Sequence, residues 1–272
     1  MQEKKCLYLD PKFGMAGDMF SAALISAGVS EESMLWVLKL AAGYIGSEDI
    51  KIHRETRNKV PGIRLDMNLK NNEHSINAHT AKSFLEKILH KAEISSPYSE
   101  FALGAMDILT QAETEAHSGE TGKQISLFIN HHHHTPHLHE AQDIIIDIAG
   151  AAWGLKELNV DLDAIYCLSP VFLGGGNIRF SHGELSVPAP ATKAVIKKYA
   201  IPEQMGPVEK ELLTPTGASL LAAMVPEYID RAVALEKLGL LQSVHGVGYG
   251  TLDFSKTLNA ANGLFVYLVE KL

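Results

Sequence analysis

Apolar and polar positions recur with two different periods along this chain, and the switches between them mark out its elements. CLYLD (6–10) is a short apolar run closed by an acid, FGMAGDM is a glycine-bearing link, and MFSAALISAG carries apolar residues at helical spacing as far as Gly28. Strand, loop and helix are predicted in that order. Ser30, with Glu31 and Glu32 behind it, predicts a second helix through Leu40, because a serine oxygen accepts from the free N–H groups of a first turn and acids suit its positive end. Residues 49–70 alternate as two strands, with their turn expected around Pro61 and Gly62. Helices follow at about 79–92 and 97–117, the second opened by Ser96 and Pro97, and a long one runs from Glu140 to Leu158. Beyond it, strands at 164–173, 243–250 and 263–270 alternate with short helices opened by PAPAT and TPTGA. The expected fold class is mixed α/β without internal repeats. It forms one main body, with residues 1–160 as an N-terminal part and 161–272 as a C-terminal lobe able to separate.

Composition narrows the function classes. The chain has 272 residues, 24 Lys and Arg against 32 Asp and Glu, and a net charge of −8. With no basic block, a nucleic-acid surface is excluded, and an acidic protein attracts cations instead. No apolar run approaches the ~20 residues of a membrane span, and MQEKKCLYLD leads into a strand rather than a signal peptide, so a cytoplasmic protein is expected. Cys6 and Cys167 lie far apart in apolar runs. Any metal must therefore be held by nitrogen and oxygen donors.

Such donors are concentrated in HHHHTPHLHE, residues 131–140. A purification tag would sit at a terminus, whereas this run is flanked by sequence patterned like folded protein. His131, His132, His133 and His134 read as a flexible collecting tract, which raises local metal concentration without fixing geometry. His137 and His139 precede a nearly all-apolar helix that nevertheless carries Glu140, Asp143 and Asp147. Spacings of three and four put these carboxylates on one face, where like charges repel, so the acid stripe should border water, a cleft or a cation. In a plainer reading Glu140 and Asp143 complement a helix N-terminus and Asp147 faces solvent. Imidazole with carboxylate suits nickel, zinc or cobalt. Glu113 and His117, four apart, form a further candidate pair or an ordinary surface contact.

Three turns suit an anion. LDPKFGMAGDM places Asp10 at a strand end, Gly14 and Gly17 before a helix, and Asp18 in its first turn; backbone N–H groups could face an anion while the two acids face a cation or a donor. In ELLTPTGASLL, Thr214 is a cap, Pro215 the first helical position and Gly217 a place for close ligand approach, with a plain cap as the alternative. LGGGNIRFSHGELSVPAPAT adds three glycines, His182 and Glu184. Its spacing is not that of a dinucleotide fingerprint, and no G-x-S-x-G elbow occurs.

Taken together, LYLDPKFGMAGDM, HLHE with DIIIDIAGAA, LGGGNIRFSHGELSVPAPAT, ELLTPTGA and GYGTLDF resemble the LarC family of nickel insertion proteins, in order and approximate spacing from residue 7 to about 254. The resemblance implies nickel insertion into pyridinium-3,5-bisthiocarboxylic acid mononucleotide, forming nickel–sulfur and nickel–carbon bonds with consumption of CTP. That is the work of a CTP-dependent cyclometallase of the lyase class. It implies Asp10, Asp18, Glu140 and Asp143 as catalytic candidates, Gly14, Gly17, His182, Thr214 and Gly217 as substrate-binding ones, and the histidines and acids above as nickel ligands. Three departures stand out. HLHEAQDIIIDIAG is two residues shorter between Glu140 and Asp143 than the family's HFHEVGAVDSIVDIVG. Only His74 and His79 remain where the family's histidine tract usually lies. The resemblance covers the family's N-terminal portion only, so the C-terminal nucleotide-associated domain, expected to carry CTP with Mg²⁺ or Mn²⁺, is expected to lie outside this chain. A separately translated or frameshifted C-terminal portion is therefore an expected partner, with a stand-alone paralogue of different function as the alternative, and self-association is left open. Outside the resemblance, a nickel or zinc chaperone or store fits the histidines, and a metal-dependent hydrolase is the remaining alternative.

Overall fold

The computed structural model describes residues 3–46, 49–67, 76–120, 137–138, 143–180, 183–237, 239 and 244–270. The chain opens with β1 (Lys5–Asp10), α1 (Gly17–Ser26) and α2 (Glu31–Gly43), as the apolar spacing predicts. Ser30 caps α2, its Oγ accepting the Ser33 N–H at 3.4 Å. β2 (Ile50–Arg57) and β3 (Val60–Met67) form the expected hairpin, but the turn is at Asn58 and Lys59, with φ of 45° and 67°. Two successive positive φ values match the twist of the flanking strands, and asparagine tolerates that region better than most residues. Pro61 and Gly62 instead lie inside β3, paired with Thr56 and Glu55.

Next come β4 (Ile76–Asn77), α3 (Ala78–Lys91), α4 (Tyr98–Glu120) and β5 (His137–Leu138). The long helix is α5 (Ile144–Glu157). It starts four residues later than Glu140, and Asp143 is its cap residue rather than part of its body. The remainder comprises β6 (Val160–Ser169), β7 (Val171–Phe172), β8 (Asn177–Phe180), β9 (Gly183–Ser186), α6 (Pro190–Tyr199), β10 (Glu203–Gln204), α7 (Pro215–Ala223), β11 (Glu227–Asp230), α8 (Arg231–Lys237), β12 (Gly246–Tyr249), α9 (Ser255–Leu258) and β13 (Gly263–Glu270). Among the described residues no helix is long and apolar enough to cross a membrane.

Seven strands form one mixed sheet in the order β11-β6-β1-β13-β12-β3-β2. β1, β6 and β11 run parallel, whereas β13 is antiparallel to both β1 and β12. Strands from either side of residue 160 thus interleave, and one apolar core contains Leu7, Leu24, Ile146, Leu220 and Val266 alike.

α1 lies directly on this sheet. Gly248 of β12 has no side chain because a β-carbon there would fall 1.8 Å from the Met19 carbonyl oxygen; only glycine permits this helix-to-strand approach. The opposite side of α1 packs on α5 through contacts of Gly17 with Asp147, Ser21 with Gly150 and Leu24 with Gly154. Numbers rise together along both helices, so they run parallel with their N-terminal ends side by side. Helix α1 is consequently apolar nearly all round, as a helix enclosed between two layers must be.

Candidate functional site

Three helix starts adjoin at one end of this seam. The link after β1 forms a bridge between Met15 and Leu213, in which the Met15 N–H donates to the Leu212 carbonyl at 3.0 Å and the Thr214 N–H to the Met15 carbonyl at 3.1 Å. That bridge sets the start of α7 against the start of α1, and the α1–α5 register brings the start of α5 to the same place. Unpaired N–H groups and aligned peptide dipoles make each start electropositive.

The residues gathered there are acids. Asp18 lies in the first turn of α1, Asp147 in the first turn of α5, and Asp143 at the α5 cap, where its side chain makes no capping hydrogen bond. Burial pushes the Asp18 carboxyl up to about 6, with the charge of Asp143 adding to it against the 2.7 Å hydrogen bond that the Met19 N–H donates. A rise from 3.8 to about 6 is on the order of 3 kcal/mol against the ionised form. Asp147 is only 5% exposed; burial, then the charges of Asp143 and Asp18, hold it well above the carboxylate range. Burial raises Asp143 as well. Asp147 therefore does not face solvent, and the repulsion expected from its spacing to Asp143 is present, with Asp18 of another helix joining it. A proton or a cation would relieve that repulsion.

Asp10 belongs to a different arrangement. At the end of β1, its Oδ1 accepts from Arg231 Nε at 2.7 Å and from the Lys12 N–H at 3.2 Å. Arg231 Nη2 also donates to the carbonyls of Pro170 at 2.9 Å and Leu168 at 3.3 Å. One guanidinium thus fastens the carboxyl ends of β1 and β6 from the first residue after β11. In sheets of parallel strands, ligand sites gather at those ends. The donor anticipated for Asp10 is this arginine. Sequence reasoning missed it, although its place directly after the acid-ended run EYID was a usable signal.

The glycine turns are largely occupied by the protein itself. A β-carbon on Gly217 would lie 2.0 Å from the Met15 carbonyl oxygen, and one on Gly14, where φ is +81°, 2.0 Å from that of Leu212. The close approach predicted for a ligand at Gly217 is made by the chain's own backbone. Thr214 acts as a cap, its Oγ1 accepting the Gly217 N–H at 3.1 Å. Gly174 is likewise closed, by the Lys210 carbonyl.

The structure therefore brings Gly17, Asp18, Asp143 and Asp147 together with Thr214 and Gly217 nearby, and sets Asp10 apart. Glu113 is half-buried on α4 and His117 lies four residues on in the same helix. His137 is in β5, paired with Asn77; the side chains of His117 and His137, and residues His131 to His134, His139, Glu140 and His182, lie outside the described set. Among the described residues no group of three or more histidine, cysteine, aspartate or glutamate side chains stands ready to hold a metal ion.

The family model described as nickel insertion protein matches residues 7–270. The chain belongs to the nickel insertion protein family. Three members are named pyridinium-3,5-bisthiocarboxylic acid mononucleotide nickel insertion protein. That of Clostridium kluyveri is 33% identical over 98% of this chain and 62% of its own length. That of Clostridium acetobutylicum is 31% identical over 98% and 64%, and that of Thermotoga petrophila 33% over 98% and 62%. This family member thus spans about three-fifths of the length of these relatives. No solved structure matches it.

Proposed function

We propose that this chain is the nickel-handling part of an enzyme that inserts nickel into pyridinium-3,5-bisthiocarboxylic acid mononucleotide. The observation carrying this reading is the acid seam at the paired starts of α1 and α5, in a chain that relatives so named match over 98% of its length. Nickel is a substrate here. Asp143 and Asp147 supply hard oxygen donors from the described side of the site, and His137, His139 and Glu140, joined to Asp143 by residues 141–142, supply the rest. His131 to His134 collect the ion. Asp18 accepts the proton or shares the positive charge that this crowding favours. The CTP requirement, with Mg²⁺ or Mn²⁺, and a C-terminal portion acting in trans complete the proposal.

A second reading, a nickel store or chaperone without turnover, is favoured by the filled glycine turns, because backbone already occupies the room that a phosphate would need at Gly217 and Gly14. Turnover separates the two readings. The chain is mixed with the mononucleotide, Ni²⁺ and CTP, with and without the polypeptide corresponding to the remaining length of its relatives. Cofactor formed only in the presence of that polypeptide is the expected result. Nickel uptake without turnover under either condition would leave the store.

A further inference from the structure

The seven-stranded sheet carries α1 on one face, and its other face bears an apolar strip that the acid seam does not use. In β1, Cys6 and Tyr8 alternate with the core residues Leu7 and Leu9, so they point away from α1. Tyr166 alternates in the same way with Ile165 and Cys167 of β6, and Val269 follows the core residue Leu268 of β13. Pairing draws the four together: Cys6 lies opposite Val269 and Tyr8 opposite Tyr166. The two tyrosine rings stack with centroids 4.6 Å apart and planes 16° from parallel. Further along this face α8 packs Ala234 on Leu168 and Tyr267. Cys6, Tyr8 and Tyr166 are only half-buried, however, and Val269 is 38% exposed. The strip spans β6, β1 and β13, which are inner strands of the sheet. Parallel pairs such as β1 and β6 normally have both faces covered, and tyrosine is enriched where one protein surface buries another.

The position of the strip indicates what covers it. The match with the Clostridium kluyveri relative runs over 279 residues, close to the 272 of this chain, yet takes in only 62% of that protein. The remaining length therefore flanks the matched stretch rather than interrupting it. Lys5 pairs with Glu270, so the two ends of that stretch lie side by side. A flanking polypeptide would emerge next to Cys6 and Val269 whichever end carries it. We propose that the strip of Cys6, Tyr8, Tyr166 and Val269 is the docking surface for the polypeptide that makes up the remaining length of the relatives, supplied to this chain in trans. This inference rests on the two-part reading given above, and it adds where the two parts meet.

The chain's two cysteines provide the test. Cys6 lies in the strip and Cys167 is fully buried, so iodoacetamide should alkylate Cys6 alone in the folded chain. Binding of the polypeptide is measured by calorimetry, and in the saturated complex alkylation of Cys6 should slow by about tenfold or more. Val269→Asp, which places an unpaired carboxylate in the contact, should weaken binding by about tenfold or more. Unchanged nickel uptake in dialysis shows that the variant is folded; if it is not, protection of Cys6 in the unaltered chain decides. Binding that leaves the alkylation rate of Cys6 unchanged, or an unaltered affinity of folded Val269→Asp, overturns the docking surface and leaves the two-part reading standing. Absence of binding overturns both. Protection of Cys6 that grows with the concentration of this chain alone assigns the strip to a second copy and overturns the proposal.

Discussion

Gly17 and Asp147 touch across the seam between α1 and α5: a β-carbon at position 17 would lie 2.3 Å from Asp147 Oδ2. Because the carboxylate belongs to a buried helix, it has little room to withdraw. Gly17→Ala should therefore cost about 1–3 kcal/mol, the range for overfilling a packed interior, despite alanine's better helix propensity. Urea denaturation measures it, and a stability equal to or above wild type would count against the packing described.

The acids also set a pH dependence opposite in sign to that of ordinary paired carboxylates. Asp18 titrates at about 6 when folded against 3.8 when unfolded, Glu211 at about 7 against 4.5, and Asp147 is raised too. Between the unfolded and folded values the native state holds more protons, so stability falls as pH rises through that window. Metal-free protein should unfold at a higher temperature near pH 5.5 than near pH 8. Nickel should reduce the difference, by supplying at pH 8 the positive charge that protons supply at pH 5.5. A melting temperature rising steadily from pH 5.5 to 8 would contradict this account.

For the Asp10–Arg231 pair, the side chains are 8% and 14% exposed, so removing one partner leaves a buried charge. Arg231→Gln should cost about 3 kcal/mol or more. Combining it with Asp10→Asn should recover part of that loss, whereas additive losses in a double-mutant cycle would show that the pair is not coupled.

Thr214→Ala should cost about 1 kcal/mol through the lost cap. Gly217→Ala should be much more severe, since its methyl meets the Met15 backbone rather than an open phosphate site. Thermal melts of the two variants rank them, and a mild Gly217→Ala would reopen the anion reading at that turn.

Changing His131, His132, His133 and His134 together to serine should remove weak, multiple nickel binding near pH 7.5 and leave tighter uptake at the acid seam. Wild-type uptake should decline near pH 5.5 as imidazoles gain protons around their ordinary value of about 6.5. Dialysis curves with identical stoichiometry for wild type and variant would show that the tract collects nothing.

Much of the framework was legible because it is local. The apolar run at 6–10, the Ser30 cap and the proline-opened helices at Pro190 and Pro215 each follow from a few adjacent residues. The hairpin turn was misplaced because Pro61 and Gly62 look like turn chemistry, whereas Asn58 and Lys59 carry the positive φ values. Asp143 and Asp147 were legible as a repelling pair from their spacing. That Asp18 would join them, that Gly217 would be filled by Met15 and that Arg231 would hold Asp10 depend on contacts spanning about 130, 200 and 220 positions, beyond the reach of periodicity or capping rules.

The place of β1 in the sheet has a consequence for how the chain is made. Its first strand is flanked by β6 and β13, the latter the final strand of the sheet. During synthesis β1 emerges early and finds β6 only after some 150 further residues have followed, while its other edge stays open until residues 263–270 arrive. Contacts so distant in sequence form slowly, and an open apolar strand edge invites pairing with other chains. Product interrupted before β13 should therefore carry unpaired edges on both β1 and β12, making synthesis of that strand a condition for joining the two halves of the sheet.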